Sequence, residues 1–230
     1  MNDLLIQGTL EVVGRLVDAS NATLFGNVTL NGVTQKVIYK PIAGERPLWD
    51  FPDGNLASRE YAAYLVSDYA NFSLVPKTLL RDGPFGYGSV QEWIDIDDEI
   101  DVIEIGQSDN PAIRSMALFD VVINNTDRKF GHILIDSKSR IYGCDHGVTF
   151  HVDYKLRTVL WQFAGLNLHP DEVSQLEILR DGILGKTLDL RELLTLEEVE
   201  ALILRIENLL KERTFPAPSE EWPAVPWPPV

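Results

Sequence analysis

The sequence predicts an α+β protein of two lobes, the first built on an antiparallel sheet and the second mainly helical. Three observations predict it. Residues 10 to 40 alternate in polarity in three short runs separated by turn residues. From Pro170 onward apolar residues recur at helical spacing. Between these regions, Ile133-Leu134-Ile135 and Ile141-Tyr142-Gly143 read as a tight hairpin, with Asp127 in the loop before it and Asp145 just past it.

The first run, Leu10 to Val17, leads into the polar turn Asp18-Ala19-Ser20-Asn21. The second, Ala22 to Leu30, ends at Asn31-Gly32, a two-residue hairpin signal because both central positions want positive φ. The third, Val33 to Lys40, is closed by Pro41, which cannot donate to a ladder. Small polar residues let backbone N–H groups face an anion, so Ser20 and Asn21 form a candidate phosphate cradle. A plain hairpin turn is the alternative reading.

Gly44 to Gly54 holds two prolines and two glycines, which preclude a regular element. Its Trp49 and Phe51 need burial, either over the cleft between lobes or under the sheet. Asn55 then caps a helix to about Ala70, with Leu56, Tyr61, Ala63, Tyr64 and Leu65 as apolar positions. Two further strands, Leu74 to Leu80 and Gly88 to Ile94, flank the turn-rich Arg81 to Tyr87. After Trp93 the composition becomes acidic, and Asp95 to Asp109 shows no clear period. The expected division is therefore a lobe of residues 1–93, a lobe of residues 94–213 and a tail of residues 214–230.

Asn110-Pro111 opens a helix with an apolar stripe of Ile113, Met116, Ala117, Phe119 and Val121, and with Asp120 near its end. Thr195-Leu196-Glu197-Glu198 is a capping box. Leu196, Val199, Leu202, Ile203, Ile206, Leu209 and Leu210 follow on one face. The tail is rich in proline, so it is extended. Its Trp222 and Trp227 imply docking on the body or on a partner.

Among 230 residues the formal net charge is −15, and the sequence pI is about 4.6. That balance argues against a nucleic-acid binder, which needs basic surface, and disfavours docking on anionic lipid. The hydrophobic share of 45% is enough for an ordinary core. A single cysteine, Cys144, gives no internal disulfide. There is no basic segment followed by an apolar run at the start and no apolar run of membrane-spanning length, so a cytoplasmic location is expected.

Two carboxylates that converge from separate turns suit a metal-bound phosphate: one steers an attacking hydroxyl and the other holds Mg²⁺. Lys40 at a strand end and Glu60 inside a helix match the Lys–Glu pair with which kinases position nucleotide phosphates. Taken alone, both have the alternative of lying solvated on the surface. The order Lys40, Glu60, a transition at Trp93, Asp127 and Asp145 is that of a bilobal phosphotransferase.

Thr126-Asp127-Arg128-Lys129 with His132-Ile133-Leu134-Ile135 resembles the catalytic loop of phosphatidylinositol 3-/4-kinases and their relatives. Asp145-His146-Gly147 resembles their metal-binding Asp-x-Gly triplet. HipA-like bacterial kinases and the secreted Golgi kinases share this arrangement, and the chain is similar to small bacterial members of the phosphatidylinositol 3-/4-kinase-like family. The resemblance runs from about Val12 to Phe163 and is specific at Asp127-Arg128 and Asp145-x-Gly147. It implies an atypical protein-kinase-like bilobal fold that uses ATP and Mg²⁺. Lys40 would contact the α- and β-phosphates and Glu60 would orient it. Backbone near Glu92 and Trp93 would meet the adenine edge. Asp127 would orient or deprotonate the acceptor hydroxyl, and Asp145 would hold the metal.

One departure is His132, where the family places a metal-binding Asn. Imidazole binds metals but Mg²⁺ prefers oxygen, so either Mn²⁺ is accepted or a metal site is lost. Three readings follow. The first is a kinase acting on a hydroxyl of a protein Ser/Thr, a sugar or a small metabolite. No basic or amphipathic membrane-binding segment supports a lipid acceptor. The second is a weak or inactive pseudokinase that binds nucleotide or a partner. The third is a metal-dependent phosphatase or nuclease, which leaves Lys40 and Glu60 unexplained.

Overall fold

Asn31 and Gly32, both at positive φ, turn the chain between strands Leu24–Leu30 and Val33–Pro41. The computed structural model describes residues 2–16 and 22–230. The turn with Ser20 and Asn21 lies outside them. A helix absent from the sequence reading, α1 (Asn2–Gln7), precedes β1 (Thr9–Arg15), whose pairing shifts register between Val12 and Gly14. β2 (Leu24–Leu30) and β3 (Val33–Pro41) pair from Leu24↔Tyr39 to Leu30↔Val33. After α2 (Leu56–Tyr69) come β4 (Thr78–Gly83) and β5 (Gly86–Glu92). Among the described residues these strands form one five-stranded sheet in the order β1-β2-β3-β5-β4, all antiparallel.

The last hairpin differs from its expected register. It turns on Pro84-Phe85, with Gly83 paired to Gly86 at φ +99. Leu74 and Val75, expected in the strand, are buried instead in the larger core beside Phe72. Apolar runs carry no information about which core receives them.

Asp95 to Asp109 contains a short helix, α3 (Val102–Gly106), capped by Asp101 through the amides of Ile103 and Glu104. Five residues are too few to display a period. Helix α4 (Pro111–Ile123) is buried nearly all round, including Arg114 and Asp120, and is the central element of the second half. A hairpin of β6 (Ile133–Ile135) and β7 (Ile141–Gly143) follows. α5 (Pro170–Leu184) and α6 (Leu196–Glu212) complete the helices. In α6, Val199, Leu202, Ile206 and Leu209 are buried as the stripe predicts, but Leu196, the first residue of the helix, is exposed.

Two apolar cores result. The smaller packs Leu5, Leu10, Val28, Val37, Tyr39, Leu79 and Val90 around the sheet. The larger joins α4, α5 and α6, and it takes Ala62, Ala63 and Val66 of α2. Helix α2 is bolted there by a buried ion pair between Arg59 and Glu198 of α6. Glu198 also closes the capping box with the Thr195 amide at 2.9 Å. Among the described residues no helix is long and apolar enough to cross a membrane.

Candidate functional site

Lys40, Glu60, Asp127, His132 and Asp145 line one cavity of about 510 Å³, together with Ala22, Thr23, Leu56 and Gly147. β3 delivers Lys40 in its last turn of pairing, opposite Ser89. α2 delivers Glu60. That helix starts where it does because Asn55 accepts the Ser58 amide at 2.8 Å, while Glu45 takes the Leu56 and Ala57 amides at 2.9 and 2.8 Å.

Lys40 stands between two carboxylates. Its Nζ donates to Glu60 and, at 2.7 Å, to Asp145 Oδ1. Burial alone would lower the ammonium, but the charge of Asp145 and then Glu60 outweighs it and raises Lys40 above the ordinary lysine range. The Lys40 charge in turn holds Asp145 well below the usual carboxylate range, against desolvation. Burial pushes Glu60 up, opposed by Lys40 and by the His146 amide, which donates to it at 3.0 Å. Glu60 therefore grips both the lysine and the backbone beside Asp145. That grip needs Gly147, because a Cβ there would meet the Leu56 Cβ at 3.1 Å.

The loop carrying Asp127 leaves α4 through Asn124, a left-handed C-cap at φ 51. Asn125 receives the Asp127 amide at 3.0 Å and donates to Asp120 at 2.9 Å. Arg128 points inward and is fully buried. It donates to Asp120, to the His132 and Cys144 carbonyls at 3.2 and 3.1 Å, and lies 2.7 Å from His146 Nε2. One guanidinium thus fixes the Asp127 loop against the Asp145 turn. The β6–β7 hairpin adds a bond from the Cys144 amide to the His132 carbonyl at 3.0 Å. This brings His132 Nε2 to 3.5 Å from Asp145 Oδ2. Asp127 itself pairs with Lys129 at 3.2 Å and lies 3.9 Å from Arg157.

Sequence reasoning passed over Asp120, Arg128 and Asn125 as a supporting set. The available signal was an aspartate set inside an apolar helical stripe, which requires a buried partner. Burial and then Arg128 also hold His146 well below the ordinary histidine range.

Glu92 and Trp93 lie outside the cavity lining. Their amides remain in backbone pairing, to the Lys77 carbonyl at 2.8 Å and the Lys36 carbonyl at 3.1 Å. Neither N–H is therefore a free donor, because the ladder continues one residue past β5. The Trp93 ring instead packs edge-on against Phe25 at 5.0 Å. Phe25 pairs across the sheet with Ile38, which shares the Lys40 face by strand alternation. Trp49 does not find the burial expected for it, whereas Phe51 packs between residues of the two halves of the chain. Phe51 lies under Arg59 and beside His151, and Trp49 is 84% exposed. Among the described residues no group of three or more His, Cys, Asp or Glu side chains is placed to hold a metal by itself.

The antiparallel sheet and helices make a kinase-like fold, shared with solved structures of two kinases. The crystal structure of a Helicobacter pylori proinflammatory kinase, CtkA, aligns with TM-score 0.53 at 12% identity, over 90% of this chain and 93% of that one. The crystal structure of the Golgi casein kinase aligns with TM-score 0.54 at 14% identity, over 91% of this chain and 73% of that one. No protein-family model matches the chain. It is 39% identical over 261 positions to Protein Rv2133c of Mycobacterium tuberculosis, an alignment covering 98% of this chain and 94% of that protein, and it belongs to the same family as that protein.

Proposed function

We propose that the chain is an ATP-dependent phosphotransferase of the atypical, phosphatidylinositol 3-/4-kinase-like kind, moving the γ-phosphate to a hydroxyl acceptor. The observation that carries this reading is Lys40 held between Glu60 and Asp145 on a cavity that Asp127 also lines. In this reading Lys40 binds the α- and β-phosphates and Glu60 keeps it in place. Asp127 orients the acceptor hydroxyl and receives its proton. Catalysis is mostly positioning and charge neutralisation. The part-buried apolar surface of Phe25, Ile38 and the Trp93 ring takes the purine, in place of backbone donors at 92 and 93. The lobes are residues 1–93 and 94–213 with a tail of 214–230, and the protein acts in the cytoplasm.

The donor set fits a divalent ion carried on nucleotide phosphates. Mg²⁺ is normally held by one or two carboxylates plus phosphate oxygens, and the half-exposed Asp145 supplies such a carboxylate. When bound, the ion would neutralise charge on the β- and γ-phosphates. Metal-binding imidazoles donate their second nitrogen to a partner. His132 Nδ1 is buried without one among the described residues, so Asp145 is assigned the larger share.

That same unsupported histidine favours a second reading, a pseudokinase that binds nucleotide or a partner without transfer. Calorimetry with ATP and Mg²⁺ or Mn²⁺, followed by ADP release, separates the two. The kinase reading expects binding and turnover, and loss of turnover in Asp127→Ala and Asp145→Ala with the circular dichroism of the fold unchanged. Absence of any nucleotide binding by the wild-type chain sinks the kinase reading and leaves, of the second, only the partner-binding role.

A further inference from the structure

The proline-rich tail is not a free appendage. Its carbonyls accept hydrogen bonds from the loop region around Asp127. Ala224 accepts from the Thr158 amide at 3.0 Å and from Trp161 Nε1 at 2.8 Å. Pro229 accepts from the Phe130 amide at 2.9 Å. All three bonds run from body donors to tail acceptors, as suits a segment whose prolines lack N–H groups.

The other edge of the same segment pairs with the Asp127 loop. The Arg157 amide donates to the Asn125 carbonyl at 2.9 Å, the Arg128 amide to the Arg157 carbonyl at 3.1 Å, and the Val159 amide to the Arg128 carbonyl at 3.2 Å. Residues 157–159 are therefore sandwiched between the Asp127 loop and the tail. The Arg157 side chain reaches back across this ladder. Its Nε donates to the Thr126 carbonyl at 2.6 Å, and its Nη2 stands 3.9 Å from Asp127 Oδ1. The guanidinium carbon lies over the Trp222 ring at 5.8 Å, and the Lys155 ammonium lies over the same ring at 5.0 Å.

Resting on the phosphotransfer reading above, we propose that Arg157 is a positioning residue for Asp127, and that residues 222–229 are the clamp that keeps Arg157 and the loop 126–130 in working geometry. A guanidinium bonded to the carbonyl just before Asp127 fixes the backbone that carries it, and its second nitrogen faces Oδ1 at 3.9 Å while Lys129 contacts Oδ2 at 3.2 Å. Arg157 is still partly exposed with the tail in place, and the Thr126 carbonyl and the Trp222 indole face together keep it from swinging into solvent. Small errors in the placing of a hydroxyl-orienting group cost turnover more than they cost substrate binding.

The test uses the full chain with Arg157→Ala, Arg157→Lys, Trp222→Ala and Trp222→Phe. Three quantities are measured: affinity for ATP with Mg²⁺ by calorimetry, the rate of ADP formation, and amide hydrogen exchange at Phe130 and Thr158. Arg157→Ala should lower kcat about ten- to a hundredfold with ATP affinity within about twofold of wild type. Arg157→Lys, which keeps the charge but not the Nε donor, should fall with it. Trp222→Ala should lower kcat and speed exchange at both amides, and Trp222→Phe should restore both because it keeps an aromatic face. Wild-type kcat in Arg157→Ala, or a loss of ATP affinity parallel to the loss of kcat, would overturn the positioning role. Unchanged exchange in Trp222→Ala would overturn the clamp. If the wild-type chain binds no nucleotide, the phosphotransfer reading fails and Arg157 loses its role. The exchange experiment still decides whether the tail holds the loop.

Discussion

Arg128 Nη2 lies 2.9 Å from Asp120 Oδ1, with both side chains wholly shielded from solvent. The pair is part of a set in which the guanidinium also serves two carbonyls and His146. Removing one partner leaves a buried charge uncompensated, which typically costs about 3–5 kcal/mol. Asp120→Ala should therefore lower the urea unfolding free energy by about that amount. An effect under about 1 kcal/mol would mean that the pair does not organise the loop.

Lys40 offers a separation of stability from binding. Lys40→Met leaves Glu60 buried without its cation, so the melting temperature should fall and ATP affinity should drop about tenfold or more. Adding Glu60→Gln removes the stranded charge. The double variant should regain melting temperature while ATP binding, followed by calorimetry, stays weak. Recovery of both would show that Lys40 does not meet the nucleotide.

The acid side of the stability profile follows from His146. Burial and Arg128 hold it neutral in the folded chain, whereas an unfolded histidine takes a proton near pH 6.5. Below that pH the unfolded chain binds more protons, so the stability present above it is lost as the pH falls. Burial lowers His132 as well, with the same sign. Urea unfolding with a chelator present should show stability falling by up to about 1.4 kcal/mol per pH unit for each such histidine. His146→Gln should flatten the slope.

Asp145 and His132 can be told apart by metal. His132→Asn adds an oxygen where Mg²⁺ wants one, and it should tighten Mg²⁺-dependent ATP binding about tenfold without changing the metal-free affinity. A weaker Mg²⁺-dependent affinity in His132→Asn would assign the imbalance to the histidine as a ligand.

Much of this arrangement was legible because its signals are local. The Asn31-Gly32 turn and the caps at Asn55, Asn110 and Thr195 each act within a few residues, and each lies where the sequence puts it. The order of Lys40, Glu60, Asp127 and Asp145 was equally readable, and the fold gathers all four on one cavity. What escaped is non-local. Nothing in the spacing of Arg59 and Glu198, or of Asp120 and Arg128, tells that they meet inside the protein. Glu92 and Trp93 illustrate the same limit, since how far a ladder extends depends on the partner strand and not on the strand's own residues. Nor did the tail's composition say that Ala224 and Pro229 would accept hydrogen bonds beside the loop of Asp127.

The bolt between Arg59 and Glu198 joins positions 139 residues apart. A ribosome delivers them in that order, and long-range closures of this kind form late. Before α6 has emerged Arg59 has no Glu198 to pair with, so α2 can pack on β4 and β5 but lacks its buried anchor in the second half of the chain. The helix that carries Glu60 is therefore braced last, although every residue lining the cavity precedes α6 in the chain.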